Sequence, residues 1–267
     1  MRFSRDEKWV LSIVILSLGI VTYFAVKNDS YHWIAITSLL GVLVVITLVI
    51  GNFRRLRARV DELGRDGQSV VALYSILNPG IPLPELGGYA LSANKAAKLM
   101  ELALDKKPKL IVELGSGVST LVLAYCLKKN GAGRIVSYDH DENFARITRE
   151  NVEKHNLSEY VEVIHAPIGE VEIGNNKVKW YQIDINKIDE NIDFLFVDGP
   201  PRKTQEMARY PAMKFFDNKL ESGAIVLLDD ANRRDEIKIK ELWIEESGGL
   251  IRDYGNFREE MFIARKK

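Results

Sequence analysis

The sequence is short of several things, and each shortage narrows how it can be read. One cysteine, Cys126, stands among 267 residues, so no disulfide can close within the chain and a reducing compartment suits it. Cys126 lies in the apolar run Leu121–Leu127, where it reads as a small core residue rather than a nucleophile. Net charge is absent as well, 37 basic residues balancing 37 acidic ones. Nothing in that balance points to nucleic acid, whose binders usually carry a basic face or domain. Neither an internal repeat nor a low-complexity tract is evident.

Charge is missing more pointedly from two stretches, residues 9–26 and 33–51. The first, Trp9–Val26, is bracketed by Lys8 and Lys27; the second, Trp33–Gly51, is closed by Arg54, Arg55, Arg57 and Arg59. Each approaches the ~20 residues that a helix needs to cross a bilayer core. A cleaved leader would have a shorter apolar region and a small-residue cleavage site, whereas Lys27-Asn28-Asp29-Ser30-Tyr31-His32 runs straight into more apolar sequence. A buried core helix is the other alternative. Two membrane spans are expected. Arg2, Arg5 and Lys8 precede the first, Lys27 stands between them, and four arginines follow the second. The positive-inside bias then puts both termini in the cytoplasm and the short loop outside. The expectation is an integral protein of the cytoplasmic membrane, held in lipid by residues 1–52, with everything beyond in the cytosol.

Beyond the spans, Leu56, Val60, Leu63, Gly67, Val70, Tyr74 and Leu77 recur at alternating spacings of four and three, a heptad-like seam. It reads as a self-associating stalk that would make a homodimer, or as a helix packed on its own domain; the second reading is preferred. Asn78-Pro79-Gly80-Ile81-Pro82-Leu83-Pro84 then breaks any helix. Residues 53–87 are therefore assigned to a juxtamembrane stalk and linker, and residues 88–267 to a folded domain.

In that domain Ser92 reads as the N-cap of a helix through Lys106. Short apolar runs follow at Lys109–Leu114, Arg134–Asp139, Tyr160–His165, Ile192–Val197 and Ala224–Leu228. Helical stretches at Ser119–Lys129 and Glu142–His155 separate the first three. Such alternation predicts an α/β fold with a doubly wound, mostly parallel sheet. At the end, Leu250–Tyr254 and Met261–Ala264, joined by Gly255-Asn256-Phe257, predict a hairpin that brings an antiparallel strand into the sheet.

Ile111-Val112-Glu113-Leu114-Gly115-Ser116-Gly117-Val118-Ser119-Thr120 reads as strand, tight turn and helix start. Glycines there let the backbone turn sharply and approach a ligand. The next acidic strand end, Asp139, follows Gly117 by 22 residues and is placed to accept hydrogen bonds from ribose hydroxyls. These features suit a dinucleotide or S-adenosylmethionine equally. Thr120, standing where a dinucleotide fingerprint has its third glycine, favours the second ligand. So does Glu113, an acid better suited to an ammonium group than to a pyrophosphate.

With Glu113-Leu114-Gly115-Ser116-Gly117, Asp139 and the terminal hairpin in view, the chain resembles the class I S-adenosylmethionine-dependent methyltransferases over roughly residues 88–267. The resemblance implies a seven-stranded Rossmann-like sheet with its last strand antiparallel. It implies Gly115, Ser116 and Gly117 against the methionine part, Asp139 on the ribose, and His165-Ala166-Pro167 near the adenine. Ser119, Thr120 and His140 join Glu113, Ala166, Pro167 and Asp198 in the cofactor set that this likeness implies. Val118-Ser119 replaces a further glycine that many relatives carry.

Asp198 ends the fourth principal strand, and Asp229-Asp230 end the fifth. Carboxylates converging there repel one another unless protonated, paired with bases or bridged by a cation. The positions resemble those of catechol O-methyltransferase-like enzymes, with Asp230 in place of the usual Asn, and that likeness implies Mg²⁺ or another divalent ion on Asp198, Asp229 and Asp230. The plainer reading has Asp229 and Asp230 capping the next helix or pairing with Arg233 and Arg234. Asp198 and Lys203 are the candidate catalytic groups, Arg202 and Arg209 lie in the same loop, and His155 reads as surface. The acceptor is expected to be a small molecule or lipid-linked. Two rival readings are a nicotinamide-dependent oxidoreductase and a membrane-anchored scaffold with a degenerate methyltransferase domain.

Overall fold

In the computed structural model, which describes residues 5–28, 32–88, 90–173, 176–252 and 260–267, both uncharged runs become helix. Helix α1 covers Arg5–Lys27 and α2 covers His32–Leu77. The chain divides into two units, Met1–Arg65 and Asp66–Lys267. In the first, α2 carries a window of mean hydropathy 2.7, none of it buried, long and apolar enough to cross a membrane. The apolar part of α1 among the described residues, Ser12–Lys27, is shorter than such a span. The expected pair of spans thus becomes one candidate span and one shorter apolar helix. The two helices touch where Gly41 meets Leu18: a Cβ on Gly41 would lie 3.2 Å from Leu18 Cδ1. Small residues at such crossings let helices approach closely.

Along the seam on α2, Leu56, Val60, Leu63, Gly67, Val70 and Tyr74 are exposed and Leu77 is buried. Leu73, which lies off the seam, is fully buried and joins Leu77 in the core of the second unit. Two polar contacts tie the same stretch down within that unit. The Asn94 N–H donates to Asp66 Oδ1 at 3.2 Å, and the Leu83 N–H donates to the Tyr74 hydroxyl at 3.0 Å. The end of the stalk therefore packs as a helix on its own domain.

Helix α3 spans Ala93–Lys106, with the Ser92 side chain accepting from the Lys95 N–H as its N-cap. Strand and helix then alternate: β1 Leu110–Leu114, α4 Val118–Asn130, β2 Arg134–Asp139, α5 Glu142–Lys154 and β3 Val161–His165. An antiparallel hairpin follows, β4 Ile168–Ile173 and β5 Asn176–Tyr181, forming its own small sheet. The chain continues through β6 Ile192–Val197, α6 Pro211–Phe216, β7 Leu220–Asp229, α7 Arg234–Glu246, β8 Leu250–Arg252 and β9 Met261–Lys266. The seven-stranded sheet runs β3-β2-β1-β6-β7-β9-β8, with β9 antiparallel to both neighbours. This is the expected Rossmann-like methyltransferase topology. Gly255-Asn256-Phe257, expected as the terminal turn, lie outside the described residues.

Every residue of β1 and β6 is buried, because helices cover both faces of a parallel sheet and remove the need for polar alternation. Successive side chains still point to opposite faces. Leu110, Val112 and Leu114 join Trp180, Phe216 and Trp243 on one side. Ile111 joins Leu73, Leu99 and Leu121 on the other. Strand parity therefore sends Glu113 towards the side covered by α3 and α4.

The burial of Leu73 makes a testable distinction along one helix. Leu73→Ala should destabilise the second unit by about 2–5 kcal/mol, while exposed Leu63→Ala should stay within about 0.5 kcal/mol. Urea unfolding of the full chain, followed by fluorescence from buried Trp180 and Trp243, reads both. Equal effects would show that the end of the stalk is not part of that core.

Candidate functional site

The turn after β1 is set by its neighbours. Gly115 has φ +99°, and a Cβ on it would lie 3.3 Å from the Asp198 carbonyl carbon. Only glycine satisfies both the left-handed backbone and the close approach. The Gly115 N–H donates to Tyr138 O at 2.8 Å, and the Asp198 N–H donates to Leu114 O at 2.9 Å. The ends of β2, β1 and β6 are thereby stitched around one point. Ser116 completes the link, its N–H and hydroxyl donating to Asp139 Oδ2 at 2.9 and 2.8 Å.

Beneath the turn sits Glu113, fully buried. The Thr120 and Ser137 hydroxyls donate to its Oε2 at 2.5 and 2.6 Å, and the Gly117 N–H donates to Thr120 Oγ1 at 3.0 Å. Burial pushes the Glu113 carboxyl up to about 7, against the lowering effect of the Ser119, Ser137 and Thr120 hydroxyls. Its second oxygen, Oε1, has no hydrogen-bond partner among the described residues. Glu113 and Thr120, expected against the cofactor, do not line the cleft; they hold the turn from below, because strand parity and the first turn of α4 point them inward.

The cleft itself measures about 450 Å³ and is lined by Gly115, Ser116, Gly117, Ser119, Asp139, His140 and Asp198. Of the expected cofactor set, Ala166 and Pro167 join Glu113 and Thr120 in lying outside the lining. The Ala166 N–H donates to Asp139 O at 2.7 Å, and Pro167 O accepts from the Gln182 N–H at 3.0 Å. Both fasten the end of β3 instead. Burial would raise the Asp139 carboxyl, but His140, the Asp141 N–H and the two Ser116 donors together hold it below the usual carboxylate range. Phe144, Tyr181 and Arg209 also line the cleft. Tyr181 arrives on the β4–β5 hairpin, whose charged face had masked the strand pattern.

The three acids do gather: one carboxylate oxygen from each of Asp198, Asp229 and Asp230 lies within 4.8 Å of the others. Each is also paired. Lys95 Nζ lies 2.7 Å from Asp229 Oδ1 and 3.5 Å from Asp230 Oδ1. Arg209 Nη2 donates to Asp198 O at 2.8 Å, Asp198 Oδ1 at 3.0 Å and Asp230 Oδ2 at 3.3 Å, while Nη1 donates to Asp229 O at 2.9 Å. Arg233 reaches Asp230 Oδ2 at 2.7 Å. Burial and the neighbouring Asp229 push the Asp198 carboxyl upward, with Arg209 and Lys95 opposing. Of the three ways to relieve the repulsion, pairing with bases is present at each acid, and the upward shift of the Asp198 carboxyl favours its protonated form as well.

Three further expectations are settled by position. Lys203 is exposed on the short turn Arg202–Thr204 and does not line the cleft; Arg202, Arg209 and Arg233 do, and of these Arg209, 5% exposed at its side chain, is the buried one. Cys126 is buried, and burial pushes its thiol up to about 12, which suits an inert core residue. His155, expected at the surface, is buried with Nδ1 2.7 Å from the Tyr125 hydroxyl, because its helix ends against α4. Lys95 was not among the expected residues, since nothing local in the sequence ties the first turn of α3 to the end of β7.

Residues 112–231 match the family model described as a methyltransferase domain. The O-methyltransferase hkm8 of Aspergillus hancockii is 26% identical over 144 residues, which are 53% of this chain and 50% of that protein. The chain thus spans about half the length of this curated relative. Among solved structures, the SAH-bound methyltransferase PaMTH1 of Podospora anserina superposes with a TM-score of 0.53 at 16% identity, covering 74% of this chain and 88% of that one. A methyltransferase from Geobacter sulfurreducens gives 0.50 at 17% identity, covering 80% and 98%. Both share the fold described above.

The buried acid under the turn predicts a pH dependence of stability. With a folded value of about 7 against an ordinary 4.5, the folded chain holds an extra proton between those values. It therefore loses stability as pH rises through that window. Glu113→Gln keeps an oxygen for both hydroxyls and removes the charge. Between about pH 5 and about pH 7.5 the wild type should lose about 2 kcal/mol more than the variant. Parallel pH slopes in urea titrations would refute this.

Proposed function

We propose that this chain, which carries a class I S-adenosylmethionine-dependent methyltransferase domain, transfers a methyl group to an oxygen on a small or lipid-linked acceptor at the cytoplasmic face of a membrane. The observation that carries the reading is the Gly115-Ser116-Gly117 turn tied to Asp139, opening onto a cleft whose far wall holds Asp198 and Arg209. The oxygen acceptor follows the relative hkm8, itself named an O-methyltransferase.

When bound, S-adenosylmethionine supplies a methyl group on a sulfonium, ready for in-line displacement without a covalent enzyme intermediate. The chain contributes positioning, which in favourable cases is worth ~7–11 kcal/mol. Asp139 accepts the ribose hydroxyls, exchanging its contacts with the Ser116 hydroxyl and His140. The glycines keep the backbone of the turn bare against the methionine part. Asp198 receives the proton of the acceptor hydroxyl; a carboxyl raised towards neutrality is better matched to that task than an ordinary one. Arg209, buried beside it, stabilises negative charge on the acceptor oxygen. No step is assigned to a metal, because the acids are already paired.

The membrane reading rests on the unburied apolar window of α2, the arginines Arg54, Arg55, Arg57 and Arg59 that follow it, and the contact of α1 at Gly41. Together they support anchoring in the bilayer through α2, with the second unit in the cytoplasm beside acceptors carried by lipid.

Two measurements test the proposal. Calorimetry on the detergent-solubilised chain should show S-adenosylhomocysteine binding in the micromolar range, about −8 kcal/mol. Asp139→Ala should weaken it by about 1.5–3 kcal/mol. Binding of a nicotinamide dinucleotide in its place would overturn the assignment. The protein should also stay with membranes through alkaline carbonate and leave them only in detergent; release by carbonate alone would remove the membrane part and leave the chemistry standing.

A further inference from the structure

The acidic cluster has the oxygens of a divalent-cation site and the electrostatics of something else. Asp229, 7% exposed at its side chain, faces Lys95 Nζ at 2.7 Å, and the same ammonium lies 3.5 Å from Asp230 Oδ1. Lys95 is 12% exposed and Arg209 5%, so both cations are shielded from water, where ion pairs are screened least. Arg233 is 48% exposed and adds little to the balance. The ammonium thus sits between two of the three carboxylates, and the guanidinium between the third and Asp230. A divalent ion would have to enter beside two shielded positive charges that lie within 3.5 Å of at least one oxygen on each of the three acids.

We infer that this site works without a divalent ion because Lys95 places its ammonium in the seat such an ion would take. Arg209 is the buried cation that lines the cleft; Lys95 is a positioning residue that acts through Asp229 and Asp230. Its delivery is built into the fold. Lys95 lies in the first turn of α3, its N–H donating to the Ser92 cap, and α3 is fixed to the sheet by Leu99 and Ala103 in the core shared with α4. The lysine is thereby presented to strand ends far along the chain. Its catalytic consequence rests on the methyltransferase reading, but the occupancy of the seat does not.

Titration of Mn²⁺ into the solubilised full chain, with the free ion counted by electron paramagnetic resonance, tests the inference without any acceptor. The wild type should bind Mn²⁺ about tenfold more weakly than Lys95→Ala, in which the seat is vacated. Adding Asp229→Asn to that variant should abolish the gain, and Lys95→Arg should behave as the wild type. Lys95→Gln serves in the same comparison if Lys95→Ala fails to fold. Wild-type Mn²⁺ affinity equal to that of Lys95→Ala and abolished by Asp229→Asn would overturn the inference, and so would the absence of any gain in both Lys95→Ala and Lys95→Gln. Loss of methyl transfer in chelator, restored by Mg²⁺, would overturn it as well, while leaving the transferase assignment intact.

Discussion

Arg209 joins the carboxyl ends of two adjacent strands through the backbone carbonyls of Asp198 and Asp229, and through the side chains of Asp198 and Asp230. A guanidinium with its donors in a fixed planar fork suits this arrangement, and a flexible ammonium would not reproduce it. Burial of one charge among so many partners is tolerable only as a set. Removing a single member leaves uncompensated charge, typically at a cost of about 3–5 kcal/mol. The joining of the two strand ends that make the far wall of the cleft follows from this one side chain.

The opposite wall depends on a different economy of contacts. Glu113 is a buried acid with one satisfied oxygen, and the Thr120 and Ser137 hydroxyls that reach it fix the turn from below. Ser116 fixes it from the side through Asp139. The glycines are therefore not merely flexible: their conformations are held by hydroxyls on three elements. A site whose geometry is held in this way is prepared before any ligand arrives, which is where positioning gains its effect.

The N-terminal unit presents a contrasting problem. Apart from the contact of Gly41 with Leu18, the apolar window of α2 stays unburied, and apolar patches of that extent are rare on soluble monomers. The proposed membrane placement would bury that surface in lipid. The same helix then continues into the domain, where Leu73 and Leu77 are buried.

Much of the fold was legible in order along the chain, because local signals specify it. The apolar runs marked the parallel strands, Ser92 marked a helix start, and the spacing from Gly117 to Asp139 marked the ends of β1 and β2. The β4–β5 hairpin escaped because Glu170, Glu172, Lys177 and Lys179 face away from the core and dilute the apolar pattern. The burial of Leu73, off the expected seam, while Leu63 on it stays exposed escaped because periodicity alone says nothing about what covers a face. The site divides in the same way. Residue type and position at strand ends pointed to Gly115, Asp139 and Asp198. Only the tertiary structure turned Glu113 inward, left Lys203 outside and brought Lys95 and Arg209 onto the acids. Charge pairing acts across space between residues remote in the chain, so the sequence determined which acids converge, and packing alone decided which bases meet them.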